Sequence, residues 1–198
     1  MIDRVWVKTR LDEAELRTDL ADYGARPVPV AALGHSQNMT EFGSPGPWSL
    51  RLPHFLLDGT PSMGEEIQVE WMVPRPTIRQ VVTELREHSH LIDPILGATE
   101  IRTMAADDQW LSPAHGREMV GVHFTLYRDP AAVTNLLRVI EPIFLATDAR
   151  PHWGKLFLAT AKDLSSRYPK IGEWRALRDQ LDPDGKFSNR FLMERVGL

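Results

Sequence analysis

Residues 67–73 read Ile-Gln-Val-Glu-Trp-Met-Val and residues 119–127 read Met-Val-Gly-Val-His-Phe-Thr-Leu-Tyr. Apolar side chains alternate with polar or small ones in both stretches, which predicts two strands that each bury one face. A third strand is expected at 98–104, and apolar residues at helical spacing predict helices at about 78–88 and 131–145. The order strand-helix-strand-strand-helix predicts an α+β domain, in which helices flank an antiparallel sheet on one face.

The segments on either side of this region are less regular. Residues 4–8 alternate as a short strand would, and residues 11–21 have a polar helical pattern. Residues 24–64 carry Gly or Pro every few positions, so any regular elements there must be short. Near the C-terminus, residues 162–181 are predicted to be helical with a break at Pro169, so the domain should end in a helical tail.

Composition limits the classes of function. The 198 residues are 42% hydrophobic and carry a formal net charge of -4, which indicates a folded protein with no general attraction to nucleic acid or anionic lipid. Because cysteine is absent, disulfides, thiolate metal sites and a cysteine nucleophile are excluded. No apolar run approaches the ~20 residues that span a bilayer, and the charged N-terminus lacks a signal-peptide pattern. We therefore expect a cytoplasmic protein with no nucleic-acid partner and no membrane span.

Charge is divided unevenly along the chain. Residues 1–149 carry 13 basic and 21 acidic side chains, whereas residues 150–198 carry 10 basic and 6 acidic ones. A basic tail can bind an anionic partner, although a basic surface that contacts only water is the more common case.

Polar residues are expected on one face of two predicted strands. A period of two places Glu100 and Arg102 on one face, ~6.6 Å apart, and it places His123 and Thr125 opposite the apolar face of their own strand. If the strands pair, these side chains form an array that could bind a polyhydroxylated ligand, and Gly121 would leave a gap for it. The alternative is a water-facing sheet surface, where a Glu/Arg pair contributes at most about 1 kcal/mol.

Lys155 is the next candidate functional residue. It follows His152, Trp153 and Gly154, in a segment too apolar for an ordinary solvated lysine. Burial would suit a lysine to act as a base or as a hydrogen-bond donor. The alternative is a side chain that extends past Trp153 to water. We find no metal site, phosphate-binding loop, dinucleotide fingerprint or serine elbow in the sequence.

Six segments carry a resemblance to known proteins, which extends from about Arg4 to Leu192. They are Leu-Pro-His-Phe (52–55), Pro-Ser-Met-Gly-Glu-Glu-Ile-Gln (61–68), Glu-Ile-Arg-Thr-Met-Ala-Ala-Asp-Asp-Gln-Trp-Leu-Ser-Pro (100–113), His-Phe-Thr (123–125), Arg-Pro-His-Trp-Gly-Lys (150–155) and Leu-Asp-Pro-Asp-Gly-Lys-Phe-Ser-Asn (181–189). Taken in this order, they resemble the C-terminal half of alditol (xylitol) oxidases. Those enzymes are grouped with sugar-1,4-lactone oxidases such as D-arabinono-1,4-lactone oxidase in the vanillyl-alcohol-oxidase flavoprotein superfamily.

The resemblance implies a domain organisation and a reaction. In such enzymes an N-terminal domain binds FAD, a cap domain with an antiparallel sheet covers the flavin, and the C-terminal tail returns to the flavin domain. Residues 1–149 would then be mostly the substrate-binding cap, and residues 150–198 would be the returning tail. The family's reaction transfers a hydride from C1 of a polyol to the flavin and reduces oxygen to hydrogen peroxide.

The resemblance also implies site residues. Lys155 and His123 would contact the reacting hydroxyl, with Lys155 the better candidate for its base. Glu100, Arg102 and Thr125 would bind the hydroxyls further along the substrate.

The six segments include none of the flavin-binding half, so we expect the isolated chain to be inactive and to hold no stable flavin. A shortened reading frame, a separated domain and one subunit of a split enzyme all remain open. The expected partners are a polyol or sugar-lactone substrate, molecular oxygen, and a flavin-binding domain or subunit that holds the FAD. A stand-alone sugar-binding or interaction module without catalysis is the alternative function.

Overall fold

A computed structural model describes residues 64–197 of the chain. These residues form a four-stranded antiparallel sheet in the order β2-β3-β1-β4. The strands are β1 (Glu66–Pro74), β2 (Leu96–Met104), β3 (Met119–Tyr127) and β4 (Arg150–Pro151). The three strands that the sequence predicts are confirmed, and β4 is an addition to them. The elements expected at 4–8 and 11–21 lie outside the described residues.

The helices also agree with the sequence pattern. They are α1 (Ile78–Glu87), α2 (Ser89–Ile92), α3 (Pro130–Leu145), α4 (Ala161–Leu164) and α5 (Ile171–Leu181). The break predicted at Pro169 falls between α4 and α5, so the helical tail is confirmed. No helix within residues 64–197 has the length and apolarity needed to cross a membrane.

The core lies on one face of the sheet, beneath α1 and α3. Trp71 of β1 is fully buried there and stacks on Phe144 of α3 with ring centroids 5.5 Å apart. The other main core side chains from strands and helices are Val69, Val73, Val81, Val122, Phe124, Leu126, Val133, Leu137 and Ile140. Because the helices cover one face of an antiparallel sheet, the predicted α+β fold is confirmed, and it leaves the opposite face for a site.

The tail packs into the same core. Phe157, Leu164 and Tyr168 are buried in it. In addition, the Leu158 backbone N–H donates to both carboxylate oxygens of Glu141 in α3, at 3.1 and 2.8 Å. The part of the tail from Phe157 to Tyr168 therefore packs on this domain, while a contact between the tail and a flavin domain stays a prediction.

Candidate active site

The polar side chains lie on the sheet face opposite the core, around the central strand β3. The register pairs His123 with Glu70 of β1 on one side and with Glu100 of β2 on the other. Gly121 lies opposite Arg102. Directly paired residues of an antiparallel sheet point to the same face. The structure therefore confirms that four predicted side chains share one face: Glu100, Arg102, His123 and Thr125.

This face is buried at its centre and exposed at its rim. His123, Thr125 and Glu70 are buried, whereas the Arg102 side chain is 43% exposed and Glu100 beside it is also partly exposed. A water-facing sheet surface would expose all of them, so that alternative is wrong for the central residues.

Lys155 reaches the face from a turn that lies beside β1. The backbone N–H of His152 donates to the Glu70 carbonyl and that of Leu156 donates to the Gln68 carbonyl, each at 3.0 Å. Between these two points the Lys155 N–H donates to the His152 carbonyl at 3.1 Å, which closes the turn. The chain thus advances four residues from His152 to Leu156 while its partner β1 covers only the two-residue step between Glu70 and Gln68. The additional residues form the turn that places Lys155 above the sheet.

Trp153 anchors this turn. Its indole Nε1 donates to the Leu111 carbonyl at 2.9 Å, and its ring centroid lies 4.9 Å from that of Tyr168. The Lys155 side chain is only 14% exposed. The alternative in which Lys155 extends past Trp153 to water is therefore wrong.

Glu70 is the centre of a charged network. Its Oε2 accepts a hydrogen bond from Lys155 Nζ at 2.7 Å, and its Oε1 accepts one from Arg102 Nη1 at 3.0 Å. The second terminal nitrogen of Arg102 donates to Glu100. Burial raises the pKa of Glu70, but the hydrogen bond from Lys155 and the charges of Lys155 and Arg102 outweigh it, so the pKa lies below its usual value. Glu70 is therefore an ionised carboxylate at neutral pH.

His123 has the opposite character. Burial lowers its pKa to about 4, and the nearby positive charge of Lys155 contributes to the decrease. Both ring nitrogens are buried, and neither has a hydrogen-bond partner among residues 64–197. A neutral imidazole offers one donor and one acceptor. His123 can therefore both donate to and accept from a ligand hydroxyl.

Gly121 provides space for Glu70 rather than for a ligand. A Cβ atom at Gly121 would lie 2.9 Å from Glu70 Oε1, closer than a carbon and an oxygen normally approach. The gap that the sequence predicts is present, but the Glu70 carboxylate fills it. The expectation that a ligand approaches the backbone there is therefore wrong.

Sequence reasoning did not select Glu70 as a site residue. The alternation in 67–73 places it on the polar face, which is a usable signal. What the alternation does not give is the pairing of β1 with β3, which brings Glu70 next to His123.

Comparisons with known proteins agree with the sequence segments that suggested a resemblance. The model of the D-arabinono-1,4-lactone oxidase family matches residues 64–195. The chain is 41% identical to an alditol oxidase of a Streptomyces species over 197 residues, which cover 96% of this chain and 46% of that protein. It is 33% identical to an L-gulono-1,4-lactone dehydrogenase of Mycobacterium tuberculosis, over 66% of this chain and 30% of that protein. The resemblance is thus confirmed, and the chain spans less than half the length of these relatives.

Proposed function

The chain belongs to the D-arabinono-1,4-lactone oxidase family, and we propose that it forms the substrate-binding half of an FAD-dependent oxidase of alditols such as xylitol or of related sugar lactones. The observation that carries this proposal is the buried array beside β3, in which the two nitrogens of His123, unpaired among residues 64–197, lie near the Lys155 ammonium. Buried polar groups normally have hydrogen-bond partners. A substrate hydroxyl would provide the missing partner.

The other residues of the array suit the remaining hydroxyls of a polyol. Glu100 accepts hydrogen bonds, Arg102 donates them, and the Thr125 hydroxyl can do either. With Lys155 and Glu70 included, the two positive charges balance the two negative ones, and His123 is neutral. Such a surface favours an uncharged, hydroxyl-rich ligand over an anionic one.

Oxidation of the alcohol removes a hydride from C1 and a proton from its hydroxyl, so a base within hydrogen-bond reach should lower the barrier. Lys155 and His123 are the two candidates for this base. The family resemblance favours Lys155, whereas the ion pair between Lys155 and Glu70 favours His123.

FAD, when bound, supplies the hydride acceptor and the means of reducing oxygen to hydrogen peroxide. The array suits such a cofactor because the buried nitrogens of His123, which have no hydrogen-bond partner among residues 64–197, could hold an alcohol and accept its proton, and these are tasks that a flavin leaves to the protein. We assign FAD binding mainly to a flavin-binding domain or subunit outside this sequence, with residues 1–149 as cap and residues 150–198 returning to it. Leu181 and Phe187 support this role of the tail, since they are 73% and 78% exposed.

The test is to purify the 198-residue chain and to mix it with the N-terminal half of the Streptomyces alditol oxidase, to which the family resemblance assigns flavin binding. We expect the chain alone to be colourless and to release no peroxide from xylitol, and the mixture to be yellow and to release peroxide. A yellow chain without the added half would contradict the assignment of FAD binding. A mixture that binds FAD and xylitol without oxidising the polyol would instead favour the stand-alone sugar-binding module.

A further inference from the structure

Glu70 contacts both cations of the array. Lys155 Nζ donates to one carboxylate oxygen at 2.7 Å, and Arg102 Nη1 donates to the other at 3.0 Å. Each carboxylate oxygen of Glu70 therefore accepts a hydrogen bond from a different cation. The side chains of Glu70 and Lys155 are only 6% and 14% exposed, so water competes little with the contact between them.

The glycine of β3 makes this arrangement possible. A Cβ at Gly121 would lie 2.9 Å from Glu70 Oε1, 3.7 Å from the Met104 methyl and 3.8 Å from the Arg102 carbonyl. A side chain at this position would displace the carboxylate from its place between Lys155 and Arg102. A glycine in a strand interior lowers the stability of a sheet. The room that Gly121 leaves for the Glu70 carboxylate therefore comes at some cost to the stability of the sheet.

We propose that Glu70 is a positioning residue, which keeps Lys155 in its ammonium form and holds it against the reacting hydroxyl, so that His123 accepts the hydroxyl proton. This inference rests on the proposed function of the array. A carboxylate at hydrogen-bond distance stabilises an ammonium and fixes its direction. One of the three ammonium donors is used by Glu70, and the structure gives Nζ no other partner within residues 64–197.

The bonds of the step balance with this assignment. The C1–H bond would break and its electron pair would leave as a hydride, for which FAD, when bound, would supply the acceptor. The O–H bond would break and its proton would move to the unprotonated ring nitrogen of the neutral His123, while the O–H electron pair would form the C1–O double bond. Lys155 donates a hydrogen bond to the substrate oxygen and keeps its proton throughout.

Titratable and charged groups surround Lys155 on β1, β2, β3 and its own turn. Glu70 faces it from β1, Glu100 and Arg102 belong to β2, His123 lies on β3, and His152 belongs to its own turn. Glu100 is bound to Arg102. If Glu70 loses its charge, no other carboxylate among these residues contacts the ammonium.

The test follows the protonation of Lys155 in the 198-residue chain by the ¹⁵N resonance of its side-chain nitrogen between pH 6 and 11. The chain has five lysines, and the spectrum of the Lys155→Met variant identifies the resonance. We expect Glu70→Gln to lower the midpoint of this titration, because the ammonium loses the carboxylate that accepts its hydrogen bond at 2.7 Å. The matched control is Glu118→Gln, which removes a carboxylate from an exposed ion pair with Arg75 at 3.0 Å. It should leave the midpoint within about 0.3 pH unit.

A second variant reaches the same contact without touching a charge. Gly121→Ala should displace the Glu70 carboxylate and lower the Lys155 midpoint in the same direction. Gly172→Ala is its control, because a Cβ there meets nothing within 4 Å. An unchanged Lys155 midpoint in Glu70→Gln, or in Gly121→Ala if the first variant fails to fold, would overturn the proposal.

The pH profile of flavin reduction in the complex with the flavin-binding half separates the two assignments of the base. If Lys155 acts as the ammonium, Glu70→Gln should lose activity as the pH rises past the new midpoint. If Lys155 is the base, the same variant should gain activity with rising pH through that midpoint, and the role given to His123 would be overturned. A parent complex that oxidises no polyol would reject the proposed function alone, because the titration still measures the contact between Glu70 and Lys155.

Discussion

Replacing Glu141 by Gln should remove a pH dependence from the stability of the fold. The Glu141 side chain is 4% exposed within α3. Burial raises its pKa from 4.5 to about 6, and the hydrogen bonds from the backbone of Leu158 and Ala159 offset only part of the increase. At ~1.36 kcal/mol for each pH unit, the difference between these two values corresponds to about 2 kcal/mol.

The sign follows from proton linkage. The carboxyl group binds its proton more tightly in the folded state than in the unfolded state. This group therefore stabilises the fold most below about pH 4.5, and its contribution is lost as the pH rises to about 6. Gln keeps the shape and one acceptor for Leu158 but does not titrate. The free energy of unfolding of the parent, minus that of Glu141→Gln, should thus fall by about 2 kcal/mol between pH 4 and pH 7.

Urea unfolding, followed by tryptophan fluorescence at several pH values, measures this difference directly because Trp71 is fully buried in the core. Glu118→Gln is the control, since it alters an exposed carboxylate, and its difference from the parent should stay within about 0.5 kcal/mol over the same range. A parent-minus-Glu141→Gln difference that stays constant, or that rises with pH, would refute the reasoning.

Three further predictions concern the array and the core. Lys155→Met keeps the apolar stem but deletes the amine that donates to the substrate oxygen, so rapid mixing of the reconstituted enzyme with xylitol should show flavin reduction slowed by about 10² to 10³. A change within about threefold would contradict contact between Lys155 and the hydroxyl. Arg102→Ala, at the rim, should raise KM more than it lowers kcat in steady-state peroxide assays, and the opposite split would place Arg102 in the chemical step. Leu137→Ala should lower the free energy of unfolding in urea by about 2–5 kcal/mol because Leu137 is fully buried; a loss below about 1 kcal/mol would show that the core closes around the cavity.

The parts of the fold that the sequence predicts best are those whose burial produces a regular pattern. β3 has the bounds expected from its alternation, and α3 begins one residue before its expected start, where the Asp129 side chain accepts hydrogen bonds from two backbone N–H groups. β4 has two residues, and two residues cannot display a period. Its position is determined by pairing with β1, which is a contact distant in the sequence.

β2 shows a second reason why the alternation of apolar and polar residues does not give every strand boundary. It begins two residues before the predicted start because the ladder with β3 continues past an irregularity between Leu96 and Ala98. Ile101 points to the apolar side of β2 but remains exposed, since β2 is at the edge of the described sheet. An edge strand buries less of its apolar side, so its sequence marks its ends less clearly.

The omission of Glu70 from the predicted site has a more specific cause. Sequential strands often pair, which favours β2 with β3, but the neighbour on the other side of β3 is β1, which precedes both. On an outer strand Glu70 would be an ordinary surface carboxylate, whereas beside β3 it lies between Lys155 and Arg102. Gly121 is the residue in the sequence that indicates this difference, because a glycine in the middle of a strand often marks a close approach by another group. A large polar side chain on a neighbouring strand can fill the space above a glycine as well as a ligand can, and the short distance between a Gly121 Cβ and Glu70 identifies the side chain as the occupant.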